Sequence, residues 1–482
     1  MTRPTPPEAY PPGTVDAAPQ PVDDEALRAF AEVGVPFSVD PHERAEHGRD
    51  WWPLSLATTH DGVVPHWPGV VVAPRSTAEV RDAIRVAARH GLAVTAQGGR
   101  SGVLGGAVAP TGGVALDLTG LDRILDLDLV SGTVTLEAGV FGPDLERAIN
   151  AEGFTVGHFP QSFELATVGG WLASRGAGQF SNRYGKIEDI VRGLTVVLAS
   201  GDVVTLGGRG PRQAVGPDLV QLFVGSEGSL GVITEATLVM RPRPTCERRL
   251  ALRVGDFDTG MALCRTILQR DAHPAVLRLY DETESRRNFD VDGCALIVLD
   301  EGEPIMVEAT MAVVREVTRD ATTLDVGVVA RWLEHRNDVS ALAPLWASHV
   351  VVDTIEVAGP WSTLTAVREA ALDALRSLEP TIVASVHQSH AYVDGACLYF
   401  TFAGQPPGDP RDYYRAAWDA ATNAVLDHGG SLSHHHGVGR NRSRFVRRAL
   451  GDGFDVLRDV KDALDPTGVL NPGVLGLGGE PW

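Results

Sequence analysis

His434-His435-His436 places three imidazoles in succession near the end of a 482-residue chain. Imidazole titrates near neutral pH, so such a run suits proton transfer at a reacting carbon. In an extended segment His434 and His436 would share a face, with His435 pointing away. A single metal ion could then collect all three only across a sharp bend. No H-x-x-x-H spacing or neighbouring acid accompanies the run, so no metal site is expected. A solvated polar loop is the alternative to proton transfer. Ala396-Cys397-Leu398-Tyr399-Phe400-Thr401-Phe402 reads as a strand with Cys397, Tyr399 and Thr401 on one face. Arg278 sits inside Val276-Leu277-Arg278-Leu279-Tyr280. An arginine buried in an apolar run needs a carboxylate or a ligand. Asp281 or Glu282 could supply the carboxylate, and an anionic substrate could supply the ligand.

A second chemistry is written in glycine. Gly98-Gly99-Arg100-Ser101-Gly102 follows a short apolar run, and Gln161–Gly170 forms a second glycine-bearing turn. Gly225-Ser226-Glu227-Gly228-Ser229-Leu230-Gly231 forms a third. Glycine allows close backbone approach, and successive N–H groups can cradle a dinucleotide pyrophosphate. None of these turns has the Rossmann arrangement, G-x-G-x-x-G opening a helix straight after a strand. A dinucleotide would be held by another architecture, unless the turns merely connect elements of an ordinary α/β protein.

These residues need elements to position them. Val70–Ala73 is a buried strand, Ser76-Thr77-Ala78-Glu79 a capping box, and Val80, Ile84 and Ala87 a helical stripe closed by Gly91. The strand Leu92–Ala96 leads into the first glycine turn. Short strands follow at Val114–Leu118, Ile124–Leu129 and Thr133–Ala138, then a helix from Gly142-Pro143. Leu194–Leu198 and Val203–Leu206 form a hairpin, and Val232–Met240 is a strand after the third loop. Arg241-Pro242-Arg243-Pro244 marks a domain boundary. Beyond it, strands at Leu250–Val254, Ala295–Leu299, Val350–Ile355 and Ala396–Phe402 alternate with helices at Phe257–Gln269, Glu303–Thr318, Trp361–Ser377 and Arg411–His428. That alternation suggests a second α/β domain with helices on one face of its sheet.

The length fits two domains. Residues 1–25, rich in Pro, Ala and Asp, read as a disordered tail without a secretory leader. The 62 acidic against 42 basic residues give a net charge of −20, which disfavours nucleic acid. Four scattered cysteines suggest neither zinc nor a disulfide framework, and a cytoplasmic setting is the simplest reading. Arg440, Arg442, Arg444, Arg447 and Arg448 form a basic cluster, read as a solvated helix face or a phosphate or membrane-surface contact.

On the runs Thr167-Val168-Gly169-Gly170-Trp171, Gly225–Thr237, Gly395–Phe400 and Gly429–Gly439, the chain resembles the flavin-binding family of vanillyl-alcohol oxidase and para-cresol methylhydroxylase. The likeness spans about Val70 to Leu475 and is strongest to the alkyldihydroxyacetonephosphate synthase branch. It implies an α+β/α/β fold of two domains. A PCMH-type FAD-binding domain would cover 26–244 and an α/β cap (substrate) domain 245–430, with 431–482 returning to the FAD site.

The resemblance implies FAD held by Ala96, Gln97, Gly98, Gly99, Arg100, Ser101 and Gly102, then by Gln161, Ser162, Phe163, Glu164, Leu165, Ala166, Thr167, Gly169 and Gly170. Ser174, Arg175, Gly176 and Ala177 form the next group, and Glu227, Gly228, Ser229, Leu230, Gly231, Val232 and Ile233 the last. Relatives with covalent flavin often carry a histidine where Arg100 stands, so non-covalent FAD is expected. The implied catalytic set is Tyr399, His434, His435, His436 and Arg278, with Tyr392 as the other candidate tyrosine. The synthase branch has a further arginine whose counterpart falls near Leu342, leaving Arg331 or Arg336 as substitutes only if the alignment shifts.

The implied reaction exchanges an acyl group for a fatty alcohol through a flavin N5 adduct, in ether-lipid synthesis. An FAD-linked dehydrogenase or oxidase of a 2-hydroxy acid or alcohol is the alternative, and a binding protein that keeps the fold is a third reading. The substrate is expected to be a small molecule or lipid; peripheral membrane contact and a homodimer stay open.

Overall fold

The structure is a computed structural model that describes residues 18–60, 62–109, 112–208, 210–338, 345–346 and 348–479. Leu342 and the first part of the expected tail lie outside them. The helix Asp24–Val33 begins inside the stretch expected as tail, capped by Asp23, whose carboxylate accepts from the Ala26 amide. A four-stranded sheet follows, in the order Phe37–Ser38, Val70–Val72, Val114–Asp117, Val94–Gln97, with the last three parallel. Its crossover helix Thr77–Arg89 buries Val80, Ala83, Ile84, Val86 and Ala87. Ser76 caps that helix, but Glu79 reaches the amide of Arg75 instead of Ser76, so the expected box closes one residue early.

A five-stranded antiparallel sheet joins Ile124–Asp128, Thr133–Glu137, Val232–Val239, Val191–Val197 and Val203–Gly207. The second half is built on seven strands, all paired antiparallel, running Thr322–Thr323, Cys246–Val254, Cys294–Gly302, Val276–Tyr280, Thr381–Ala391, Gly395–Gly404, Val351–Pro360. The helices Phe257–Gln269, Pro304–Val317, Leu364–Arg376 and Pro410–Asp427 bury one face through Leu252, Leu277, Leu279, Leu296 and Val298.

Side-chain alternation then sends Arg278, Tyr280, His387, Tyr399 and Thr401 to the opposite face. The register agrees, pairing His387 with Tyr399 and Glu356 with Tyr399 from its other side. The C-terminal segment comes back to the first sheet, where Val94 donates to Val469 and Asn471 donates to Val94.

Candidate functional site

The first two glycine turns lie back to back. A Cβ at Gly98 would sit 2.2 Å from the Thr167 hydroxyl, and one at Gly99 1.7 Å from the Leu165 carbonyl oxygen. No side chain larger than hydrogen fits between them, so the two turns share one wall. A cavity of about 740 Å³ opens above that wall, within the range of small-molecule sites. Ala96–Gly102 line it throughout, with Gln161, Ser162, Leu165, Ala166, Thr167, Gly169, Gly170, Ser174, Gly176, Ala177, Glu227, Gly228, Gly231, Val232 and Ile233.

The other expected cofactor residues face elsewhere. Phe163 packs against the rings of Phe159 and Trp171, Arg175 pairs with Glu188, the Ser229 hydroxyl donates to the Ser226 carbonyl, and Leu230 is core. Glu164 is exposed.

Arg100, Arg175 and Glu227 each hold left-handed backbone, with φ of 52°, 54° and 50°. Each belongs to one of the four segments expected to hold FAD. Left-handed turns of this sort aim consecutive N–H groups into a concavity that suits an anion. The unpartnered, buried indole N–H of Trp171 also lies on this wall. The cradle therefore fits a dinucleotide cofactor. Glu227 adds a link of its own, accepting from the amides of Val438 at 2.5 Å and Gly439 at 2.8 Å. Burial raises its carboxyl to about 7 against those hydrogen bonds.

The histidine run is a tight turn and not an extended segment. Glu356, fully buried, accepts from the amides of His434, His435 (3.3 Å) and His436 (3.0 Å), and from the Ser433 hydroxyl (2.9 Å). Arg442, also fully buried, adds a 2.6 Å ion pair. Burial alone would raise the Glu356 carboxyl, but the charge of Arg442, joined in acid by protonated His436 and His435, holds it far below the usual range. The anchoring acid is remote in sequence, which is why the expectation of an extended run fails.

The turn splits the three rings. His435 and His436 line the cavity; His434 is hydrogen-bonded to the Tyr392 hydroxyl at 2.7 Å and stacks on His390. Burial, reinforced by neighbouring cations and imidazoles, lowers His434 and His435 to about 3 and His436 to about 4. All three are neutral at pH 7 and able to accept a proton. The ring nitrogens of His390, His434 and His435 come within 4.8 Å of one another. Hydrogen bonds from Tyr392, Ser181 and between His434 and His435 already occupy much of that capacity.

Tyr399 lies between the imidazoles, 4.8 Å from the ring of His387 and 5.5 Å from that of His436, and its hydroxyl accepts from Thr354. Arg278 pairs with neither Asp281 nor Glu282. Asp281 caps the helix Glu282–Phe289 instead. The Arg278 guanidinium donates to the Tyr280 hydroxyl at 3.0 Å and to His387 at 2.9 Å, with the Trp332 ring 5.4 Å away. His387 is in turn held by Glu284 at 2.8 Å, a carboxylate that Arg287, Ser385 and Thr401 also approach.

Arg336 reaches the same indole from 5.8 Å and donates to the Gln179 side chain at 2.7 Å. Burial and the charge of Arg278 lower it to about 10, so it stays cationic. Among the described residues neither Arg278 nor Arg336 makes an ion pair, and both line the cavity. Arg331, the other substitute, also lines it.

The basic cluster divides: Arg440 and Arg442 are buried, whereas Arg447 and Arg448 lie on an exposed helix face as expected. Arg440 donates to the carbonyls of Val108 and Pro472, Arg442 is internal, and Arg444, Arg447 and Arg448 pair with Asp419, Asp455 and Asp427. Sequence reasoning missed Glu356, Glu284, His387 and His390. Glu356 carried the signal used for Arg278, a charge inside the apolar run Ile355-Glu356-Val357. The histidines lie on the strand Thr381–Ala391, whose polar residues Ser385, Gln388 and Ser389 hid it from a hydrophobic pattern.

Residues 68–207 match the FAD binding domain family, and residues 243–475 match the C-terminal domain of FAD linked oxidases. An FAD-linked oxidoreductase of Escherichia coli, YgcU, is 30% identical over 430 residues, covering 85% of this chain and 89% of that protein. An alkyldihydroxyacetonephosphate synthase of Trypanosoma brucei brucei is 28% identical over 501 residues, covering 95% and 80%. A solved alkyldihydroxyacetonephosphate synthase superposes with a TM-score of 0.79 at 25% identity, covering 95% of this chain and 88% of that one.

Proposed function

The chain belongs to the FAD-linked oxidases, enzymes with FAD as cofactor, and within that family we propose an alkyldihydroxyacetonephosphate synthase-like activity on an anionic substrate. The observation that carries this reading is the juxtaposition of two arginines, without an ion pair among the described residues, with neutral imidazoles and a tyrosine in one cavity. Arg278 and Arg336 hold the phosphate of an acyl-dihydroxyacetone phosphate, and Trp332 between them excludes water. His435 or His436 accepts the proton beside the ketone, with Tyr399 orienting the oxygen. Such acid–base assistance is worth about 10²–10⁴-fold. Bound FAD supplies an electron-accepting ring at this wall, held by the glycine turns and without a covalent link. The acyl group leaves as a fatty acid and a fatty alcohol takes its place, with no net redox change.

A second reading, an FAD-linked oxidoreductase of a 2-hydroxy acid, is favoured by the polar cap end of the cavity. Arg287, Asn288, Arg331, His335 and Asp338 line it there, a wall better suited to a small hydroxy-carboxylate than to a fatty chain. Anaerobic mixing with 2-hydroxy acids separates the two readings. Bleaching of the visible flavin band supports the oxidoreductase, whereas incorporation of labelled fatty alcohol without bleaching supports the exchange. We take 26–244 as the FAD domain, 245–430 as the cap and 431–482 as the returning segment. No described helix is long and apolar enough to cross a membrane. A cytoplasmic enzyme, with peripheral membrane contact and a homodimer left as options, completes the proposal.

A further inference from the structure

We infer that His47 is a positioning residue for Arg100, and through it fixes the positive charge that the first glycine turn presents to the FAD diphosphate. His47 precedes the stretch that matches the FAD-binding family, which begins at residue 68. The inference rests on FAD binding and is independent of which substrate the enzyme uses.

The hydrogen bonds define the geometry. The Gln97 amide nitrogen donates to the carbonyls of His47 at 2.9 Å and Ala107 at 2.6 Å. Its Oε1 is therefore the acceptor facing His47 Nδ1 at 2.6 Å, so Nδ1 carries the imidazole proton. Arg100 Nη1 lies 2.9 Å from Nδ1 and 3.1 Å from Nε2, so the guanidinium rests against the imidazole ring, with the Asp117 carboxylate 3.8 Å from Nε2. His47 and Gln97 are 6% and 1% exposed, so this hydrogen-bonded pair is buried. Burial first and the charge of Arg100 second depress the His47 pKa, in keeping with a neutral imidazole.

Arg100 itself lines the cavity from a left-handed backbone position. In a chain of net charge −20, a fixed guanidinium at this turn offsets the repulsion a diphosphate would meet. Charge-assisted contacts to phosphate depend strongly on geometry, so loosening the guanidinium should weaken cofactor binding. The same N-terminal segment also contributes Trp51 and Pro53 to the cavity wall.

The test titrates FAD into apo-protein and follows the flavin fluorescence. His47→Ala is expected to weaken FAD binding about tenfold. His47→Gln, which keeps one donor and one acceptor, should restore most of it. In an Arg100→Gln background, His47→Ala should cost nothing further. Equal losses from His47→Ala in both backgrounds, or no loss in either, would overturn the inference. Should His47→Ala not fold, Arg100→Gln alone reads the same link. It should weaken FAD about tenfold, and unchanged affinity refutes the assignment.

Discussion

Replacing Glu356 with glutamine is the sharpest probe of the histidine turn. The wild-type carboxylate directs Oε1 at the His436 amide, the Ser433 hydroxyl and Arg442, and Oε2 at the amides of His434 and His435. A glutamine oxygen placed at the first position keeps those three partners. Its amide nitrogen then faces two N–H donors, leaving both unsatisfied in a buried site at about 1–3 kcal/mol each. Arg442, fully buried, also loses its counter-charge, and breaking a buried pair from one side costs about 3–5 kcal/mol. These terms overlap, so a total near 4 kcal/mol is expected.

The pH dependence supplies a sign. Glu356 has a folded pKa below its ordinary value of about 4.3. Its stabilisation is thus complete above that value and is lost as pH falls through and below it. The variant should lack this acid-side loss. Urea unfolding of the FAD-loaded protein at pH 7 and pH 4, followed by near-ultraviolet circular dichroism, measures both effects. A Glu356→Gln protein within about 1 kcal/mol of wild type at pH 7, well short of the loss expected from one-sided removal, refutes the anchoring argument.

Gly99→Ala should abolish FAD retention through the spectrum of the purified protein, because its Cβ would overlap the Leu165 carbonyl. Of His435→Ala and His436→Ala, the one that removes the base should lower turnover by about 10²–10⁴-fold while binding of substrate changes little. The three buried imidazoles have folded pKa values of about 3, 3 and 4. They bind protons more readily when unfolded, so wild-type stability should fall as pH drops from about 6.5 towards those values; removing the imidazoles should flatten that slope in a thermal scan. Arg278→Ala should raise KM for an anionic substrate more than tenfold, by loss of a charged hydrogen-bonding group, and unchanged KM would argue against an anion at Trp332.

Local pattern carried much of the fold. The stripe on Thr77–Arg89, the bounds of Phe257–Gln269 and the shared face of Cys397, Tyr399 and Thr401 follow from periodicity alone. Strand direction did not, since alternating helices and strands fit parallel and antiparallel sheets equally. The glycine turns were legible because glycine reports backbone crowding directly, as at Gly98 and Gly99. The histidine turn was not, because its geometry is imposed by an acid 78 residues upstream of His434. Arg278 shows the same limit: its need for a partner was readable, but the choice of His387 over Asp281 depends on which strand lies alongside.

Glu227 has the widest practical consequence. By grasping the amides of Val438 and Gly439, it ties the floor beneath the coenzyme to the lever that carries the imidazoles. An engineer who grafts a foreign cap sheet onto this scaffold must transplant the 431–442 stretch with its own third loop, since either half alone would leave the other unmoored.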